Sequence, residues 1–185
     1  MNIQGIKRGG KRELIEHWLK QSNIDIFCIQ ETNYKKKGSF ELKDYHIFES
    51  IRKKQGGGSL LGIHSSLNPK LITEYSDDFE LIVAETDFGR KQVRIITGYG
   101  PQENWKEEDR KIFFNTLDEE IEKAKLNDKS VLIAFDANSK LGKEIIPSDP
   151  HPQSANGKIL EEIIKKHNLV VGNSLDICKG SITRR

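Results

Sequence analysis

Short apolar runs alternate with segments of helical periodicity along this chain, and that alternation limits what it can fold into. Residues 24–29 and 131–135 are apolar runs of about five residues, the length of a buried strand and far short of a bilayer span. Residues 11–20 carry Leu14, Ile15, Trp18 and Leu19 at helical spacing, which assigns all four to the core. A helix of about twenty residues is expected after Asn104. Its apolar stripe is Phe113, Phe114, Leu117, Ile121 and Ala124, and Glu107, Glu108 and Asp109 suit the dipole of its first turns. Residues 157–167 form a third helix with Ile159, Leu160, Ile163 and Ile164 inward, which turns His167 to solvent, as the first helix does His17. Strands are expected at 45–49, 59–64, 81–86, 92–99 and 169–171, with Asp87-Phe88-Gly89-Arg90 as a hairpin turn and residues 1–6 as the end of a strand. Elements in this order imply packed α/β layers.

A chain of 185 residues can bury one real core and is too short for two ordinary domains. Charged residues reach 31%, but 30 basic against 28 acidic side chains leave +2, so the uncompensated charge of a disordered chain is absent. No apolar segment follows Met1, so no secretory signal is visible, and no run is long enough to enter a membrane. Cys28 and Cys178 make neither a disulfide framework nor a cysteine zinc site. Cys28 reads as a small core residue, and a reducing intracellular compartment, nuclear or cytoplasmic, is expected. The charge is unevenly spread: residues 1–55 hold 12 Lys and Arg against 7 Asp and Glu, and residues 56–185 hold 18 against 21. The basic groups Lys7, Arg8, Lys11 and Arg12, then Lys35, Lys36 and Lys37, then Arg52, Lys53 and Lys54, can follow a polyanion backbone or serve as solvated surface charge.

Three apolar strands end in polar residues. One ends in Gln30-Glu31, one in Gly98-Tyr99-Gly100 and one in Asp136-Ala137-Asn138. Strand ends are rigid platforms on which functional side chains gather. If these ends converge they bring together two carboxylates, a phenol and an amide. Such hard oxygen donors favour Mg²⁺ over zinc and suit phosphodiester hydrolysis, with one carboxylate orienting or deprotonating water. Ordinary strand-terminal polarity is the other reading.

Asn2-Ile3-Gln4-Gly5, Gln30-Glu31-Thr32, Thr97-Gly98-Tyr99-Gly100-Pro101 and Asp136-Ala137-Asn138 stand in the order, and near the spacing, of the endonuclease/exonuclease/phosphatase superfamily. Downstream, Asn156-Gly157-Lys158-Ile159-Leu160, Leu169-Val170-Val171-Gly172-Asn173 and Gly180-Ser181-Ile182-Thr183-Arg184 most resemble the endonuclease domain of non-LTR retrotransposons, with apurinic endonucleases as the neighbouring branch. The resemblance implies a four-layer α/β sandwich, in which two mainly antiparallel sheets pack together with helices outside. It implies DNA as partner, no membrane, Mg²⁺ as cofactor with Mn²⁺ as an alternative, and a reverse transcriptase fused in the full-length protein. It assigns Glu31 and Asn2 to the metal, Tyr99 to the scissile phosphate, Asp136 to the attacking water and Asn138 to phosphate or metal. Gln4, Asn173 and Thr183 fall in the substrate vicinity, and Lys35, Lys36 and Lys37 on the nucleic-acid backbone.

The sequence departs from the family pattern in four places. Gln4 stands where relatives carry Asp or Asn, and Phe135 replaces the Gly before the catalytic Asp. The terminal Ser-Asp-His motif and the strand before it are not found up to Arg185. Only Met1 precedes Asn2, so a single domain clipped at both ends, lacking its C-terminal strands, is expected. His151 and His64 are the candidate substitutes for the terminal His, with exposed loop and strand-end positions as their ordinary readings. Two alternatives to the nuclease follow: a truncated, catalytically impaired nucleic-acid-binding relic, and a superfamily phosphatase or phosphodiesterase acting on another phosphoester.

Overall fold

The computed structural model describes residues 2–6, 10–51, 57–76, 79–147 and 149–175. Among them it forms three α-helices and seven strands. The chain divides into two compact units, Met1–Gly100 with Lys123–Asp136, and Pro101–Glu122 with Ala137–Arg185.

The first unit holds both sheets. Strands β1 (Ile26–Gln30), β2 (Tyr45–Ser50) and β3 (Ser59–His64) pair antiparallel in the order β1-β3-β2. Strands β4 (Lys70–Tyr75), β5 (Glu80–Phe88), β6 (Lys91–Tyr99) and β7 (Ser130–Ile133) form the second sheet in that order, antiparallel except for the parallel pair β6–β7. The expected fold class, two mainly antiparallel sheets with helices, is the one observed.

The alternation of side chains along a strand explains the layering. On β3, Leu61 and Ile63 join Ile82, Ala84 and Ile95 of the other sheet in one buried cluster. Leu60 turns the opposite way, into a second cluster with Ile15 and Leu19 of helix α1 (Lys11–Ser22) and with Ile6, Phe27, Ile29 and Phe40. Cys28 is half-buried and packs against the first of these clusters rather than lying within it, and burial pushes its thiol up.

Several expectations need correction. Leu14 is 67% and Trp18 50% exposed. The layer beneath α1 covers the single row of Ile15 and Leu19, and residues one step round the helix escape it. Strand β4 was not expected. Its register shifts between Leu71 and Thr73, and that bulge interrupts the alternation by which a strand is recognised. Strand β7 is shorter than residues 131–135 and lies at a sheet edge, with Leu132 exposed rather than buried. Residues 169–171 form no strand; Val170 is exposed and a 3-10 turn follows at Gly172–Ser174. In the N-terminal segment, Asn2 makes a single parallel bridge to Gln30. The β5–β6 hairpin pairs through Phe88 and Lys91, so Gly89-Arg90 alone turns it.

Helix α2 (Glu107–Leu126) buries the expected Phe113, Phe114, Leu117, Ile121 and Ala124. In the second unit, helix α3 (Ala155–His167) starts at Ser154, whose Oγ accepts the Gly157 N–H at 3.1 Å. A hydrogen bond from Ser154, joined by backbone N–H groups of Asn156 and Ala155, holds Glu103 below its ordinary value. His167 is not solvent-facing. It is buried, with Nε2 2.7 Å from Asp118 Oδ1, while Lys166 Nζ stands 2.6 Å from Asp118 Oδ2. Burial alone would raise Asp118, but these two partners hold it below its ordinary value. Among the described residues, no helix is long and apolar enough to cross a membrane.

Candidate active site

The first unit gathers polar side chains where β1, β6 and the segment after β7 end. The N-terminal segment lies along the end of β1: Ile3 N donates to Gln30 O at 3.1 Å, Gly5 N to Glu31 O at 2.7 Å and Ile6 N to Thr32 O at 3.1 Å. On the other side, Thr32 N donates to Gly58 O at 3.0 Å and Asn33 N to Gly57 O at 2.8 Å. Glu31 is thereby held in the left-handed region, φ 56°, which a non-glycine residue keeps only where its surroundings over-determine it. Gly58, at φ 91°, lets this loop close down, since a Cβ there would stand 2.4 Å from Thr32 Oγ1.

Asp136 is fixed just as tightly on the second sheet. It bridges to Tyr99, its N–H donates to Gly98 O at 3.2 Å, and its carbonyl accepts Gly100 N at 2.7 Å. Gly98 has a steric reason to be glycine: a Cβ would lie 2.1 Å from Glu80 O on the neighbouring strand. Tyr99 is buried.

The two sheets meet at Asn2. Its Nδ2 donates to Glu31 Oε1 at 2.8 Å and to Asp136 Oδ2 at 2.9 Å. Two carboxylates from different sheets are therefore drawn to one nitrogen, and their oxygens are no further apart than those two bonds allow. A second link crosses between the sheets beside it. Gln30 Nε2 donates to Thr97 Oγ1 at 3.3 Å, and Thr97 Oγ1 donates to Ala134 O at 2.6 Å.

This donor set fits Mg²⁺. Its groups are two carboxylates and an amide, all hard and none of them sulfur or imidazole. Among the described residues, no three His, Cys, Asp or Glu side chains come together as a metal cage. Mg²⁺ characteristically takes one or two carboxylates and completes its shell with waters and substrate phosphate.

Other expected residues stand differently. Asn138 is half-buried at φ 44°, and its carbonyl accepts Asn156 Nδ2 at 3.3 Å. Gln4 is exposed at φ 48°, its N–H directed to Asn2 Oδ1 at 3.3 Å. Asn173 is exposed on the 3-10 turn. Thr183 and the motif around it, Lys7, Arg8, Arg52, Lys53, Lys54 and Cys178 lie outside the described residues. Lys35, Lys36 and Lys37 are exposed, and Lys37 pairs with Glu74. The ring of His64 is turned back on Ser66, 2.8 Å from its Oγ. His151 Nδ1 lies 3.1 Å from Asp149 Oδ1 in the second unit.

Sequence reasoning missed two buried polar groups. Asn156 is fully buried and donates to Pro101 O at 2.7 Å, joining that carbonyl to the carbonyl of Asn138. Glu80 is buried at the start of β5 and accepts from Gly58 N and Ser59 Oγ. A lone Glu opening an apolar run was the only signal for the second.

Solved structures share this fold at low identity. The AP endonuclease LMAP from Leishmania major superposes with TM-score 0.70 at 11% identity, over 90% of this chain and 65% of that one. The endonuclease domain of TRAS1, a telomere-specific non-LTR retrotransposon, gives 0.59 at 15%, over 90% and 68%. TDP2 from D. rerio, complexed with single strand DNA product, gives 0.52 at 15%, over 93% and 64%. The chain thus spans about two thirds of the length of these relatives. A search of curated proteins by sequence finds no match. The superfamily that has this fold comprises hydrolytic nucleases and phosphodiesterases, whose members generally use divalent metals. The chain belongs to the Endonuclease/Exonuclease/phosphatase family, whose family model matches residues 1–150.

Proposed function

We propose that this chain is a Mg²⁺-dependent DNA endonuclease domain, nicking by phosphodiester hydrolysis in the manner of non-LTR retrotransposons, with Mn²⁺ able to replace Mg²⁺. The observation that carries the reading is the meeting of Glu31 and Asp136, from two sheets, at one nitrogen of Asn2. Glu31 and Asn2 would hold the ion, which when bound neutralises charge building on the phosphate. Asp136 orients the attacking water and accepts its proton. Tyr99, at the end of β6, would supply a neutral donor to the phosphate oxygens, a role that motif order also gives Asn138. Motif order alone would add Gln4, Asn173 and Thr183 to the substrate vicinity.

DNA as substrate is supported by the two relatives whose names carry a DNA product or a retrotransposon endonuclease. The exposed Lys35 and Lys36 suit a phosphate backbone. Lys37, paired with Glu74, contributes less. The reading takes residues 1–185 as one domain of the family, acting in a longer polypeptide beside a reverse transcriptase.

The test is nicking of supercoiled plasmid with Mg²⁺ by wild type, Glu31→Ala and Asp136→Ala. Relaxed circles from wild type alone are expected. Equal activity in all three sinks the assignment. Salt-sensitive DNA binding without nicking would point to the impaired relic, and salt-independent or absent binding to a small phosphoester.

A further inference from the structure

We infer that Glu80 is a positioning residue, which ties the turn carrying Glu31 to the strand carrying Tyr99 and so fixes the spacing of the two halves of the site. This inference rests on the nuclease reading for its catalytic consequence, but its geometry stands apart from it.

A carboxylate that is 1% exposed is costly unless donors meet it. Glu80 Oε2 accepts the Gly58 N–H at 2.9 Å and the Ser59 hydroxyl at 3.0 Å. Both donors lie on the first sheet or its entry loop, whereas Glu80 opens β5 on the second. Its register partner across the β5–β6 ladder is Tyr99, and Ser59 is the register partner of Gln30. The loop it holds does one further thing. The carbonyls of Gly58 and Gly57 accept the N–H groups of Thr32 and Asn33, the two residues after Glu31. A short path therefore runs from Tyr99 across one strand pair to Glu80, through charge-assisted hydrogen bonds to the Gly58 N–H and the Ser59 hydroxyl, and on to the turn that keeps Glu31 left-handed. The Gln30 to Thr97 link between the sheets joins neutral groups, whereas Glu80 brings a charge to its two bonds.

Glu80→Gln keeps the size of the side chain and removes its charge. Native-state hydrogen exchange reads the turn directly. The amides of Thr32 and Asn33 should exchange about tenfold faster, while those of Ile95 and Ile96 in β6 stay unchanged. In plasmid nicking, kcat should fall by about 10- to 100-fold with KM within about twofold, as misplaced groups lose rate rather than binding. Ser59→Ala removes one donor and should move both readouts the same way by less, and it decides the matter if Glu80→Gln does not fold. The inference is overturned if Thr32 and Asn33 exchange as in wild type. It is equally overturned if they loosen only in step with Ile95 and Ile96, or if they loosen while kcat holds. A wild type that does not nick counts against the nuclease reading, and the exchange pattern still decides what Glu80 positions.

Discussion

Two carboxylate clusters in the sheet unit differ in what meets the charge. At one end of the β5–β6 pair, Glu85 faces Arg94, its register partner, at 2.7 Å and Lys129 at 2.5 Å. Burial alone would raise Glu85, yet those two cations hold it below the usual carboxylate value. At the strand ends near Tyr99, Glu31 and Asp136 are met by the amide of Asn2. The first cluster neutralises its charge within the protein and joins strands. The second draws two carboxylates to one amide nitrogen, and the nuclease reading assigns that pair to an outside cation. The contrast distinguishes a cluster whose charge is met by cations from one that the nuclease reading assigns to the metal.

The largest effect expected from breaking the contrast is on activity. Glu31→Ala should lower nicking by about 10²- to 10³-fold, the cost of losing a group that stabilises transition-state charge. Its thermal midpoint should hold or rise slightly, since one of two adjacent like charges is removed. Glu85→Gln should do the reverse. Removing one partner leaves Arg94 buried without its carboxylate, at a cost of about 3 kcal/mol in urea unfolding, with activity per folded molecule unchanged.

The same pair sets an acid limit. The folded-state pKa of Glu85 lies below the unfolded one, so its stabilisation is complete above the ordinary carboxylate range and is lost as pH falls through the folded value. Acid unfolding followed by circular dichroism should be shallower in Glu85→Gln than in wild type.

Smaller effects test the surface. Lys35→Ala with Lys36→Ala should weaken DNA binding several-fold, and each should reduce the slope of log affinity against log salt by about 1. Filter binding at several salt concentrations measures it. Trp18→Ser should change stability by no more than about 0.5 kcal/mol, because the indole is already half in solvent. A change of several kcal/mol would show that α1 buries a wider face than Ile15 and Leu19.

Glu31 and Asp136 were legible in the sequence because each follows an apolar run that could only be a strand, and strand ends collect functional groups. Asn2 and Tyr99 became candidates through motif order. Glu80 was not legible, since a single Glu before Leu81 reads as the solvent end of a strand. Its partners are 21 and 22 residues away. His167 was misread for the same reason: periodicity on α3 says nothing of Asp118, 49 residues distant. Periodicity also marks a stripe without stating how much surface lies beneath it, which is why Leu14 and Trp18 were assigned to the core. Strand β4 escaped because a bulge breaks the alternation that would have revealed it.

Mn²⁺ titration followed by electron paramagnetic resonance tests the central contrast most directly. Wild type and Glu85→Gln, compared at a temperature where both are folded, should bind the ion with similar affinity, and Glu31→Ala with Asp136→Ala should lose that binding. Undiminished Mn²⁺ affinity in the double variant, or a loss of it in Glu85→Gln alone, would contradict the assignment of the metal site to the Asn2 cluster.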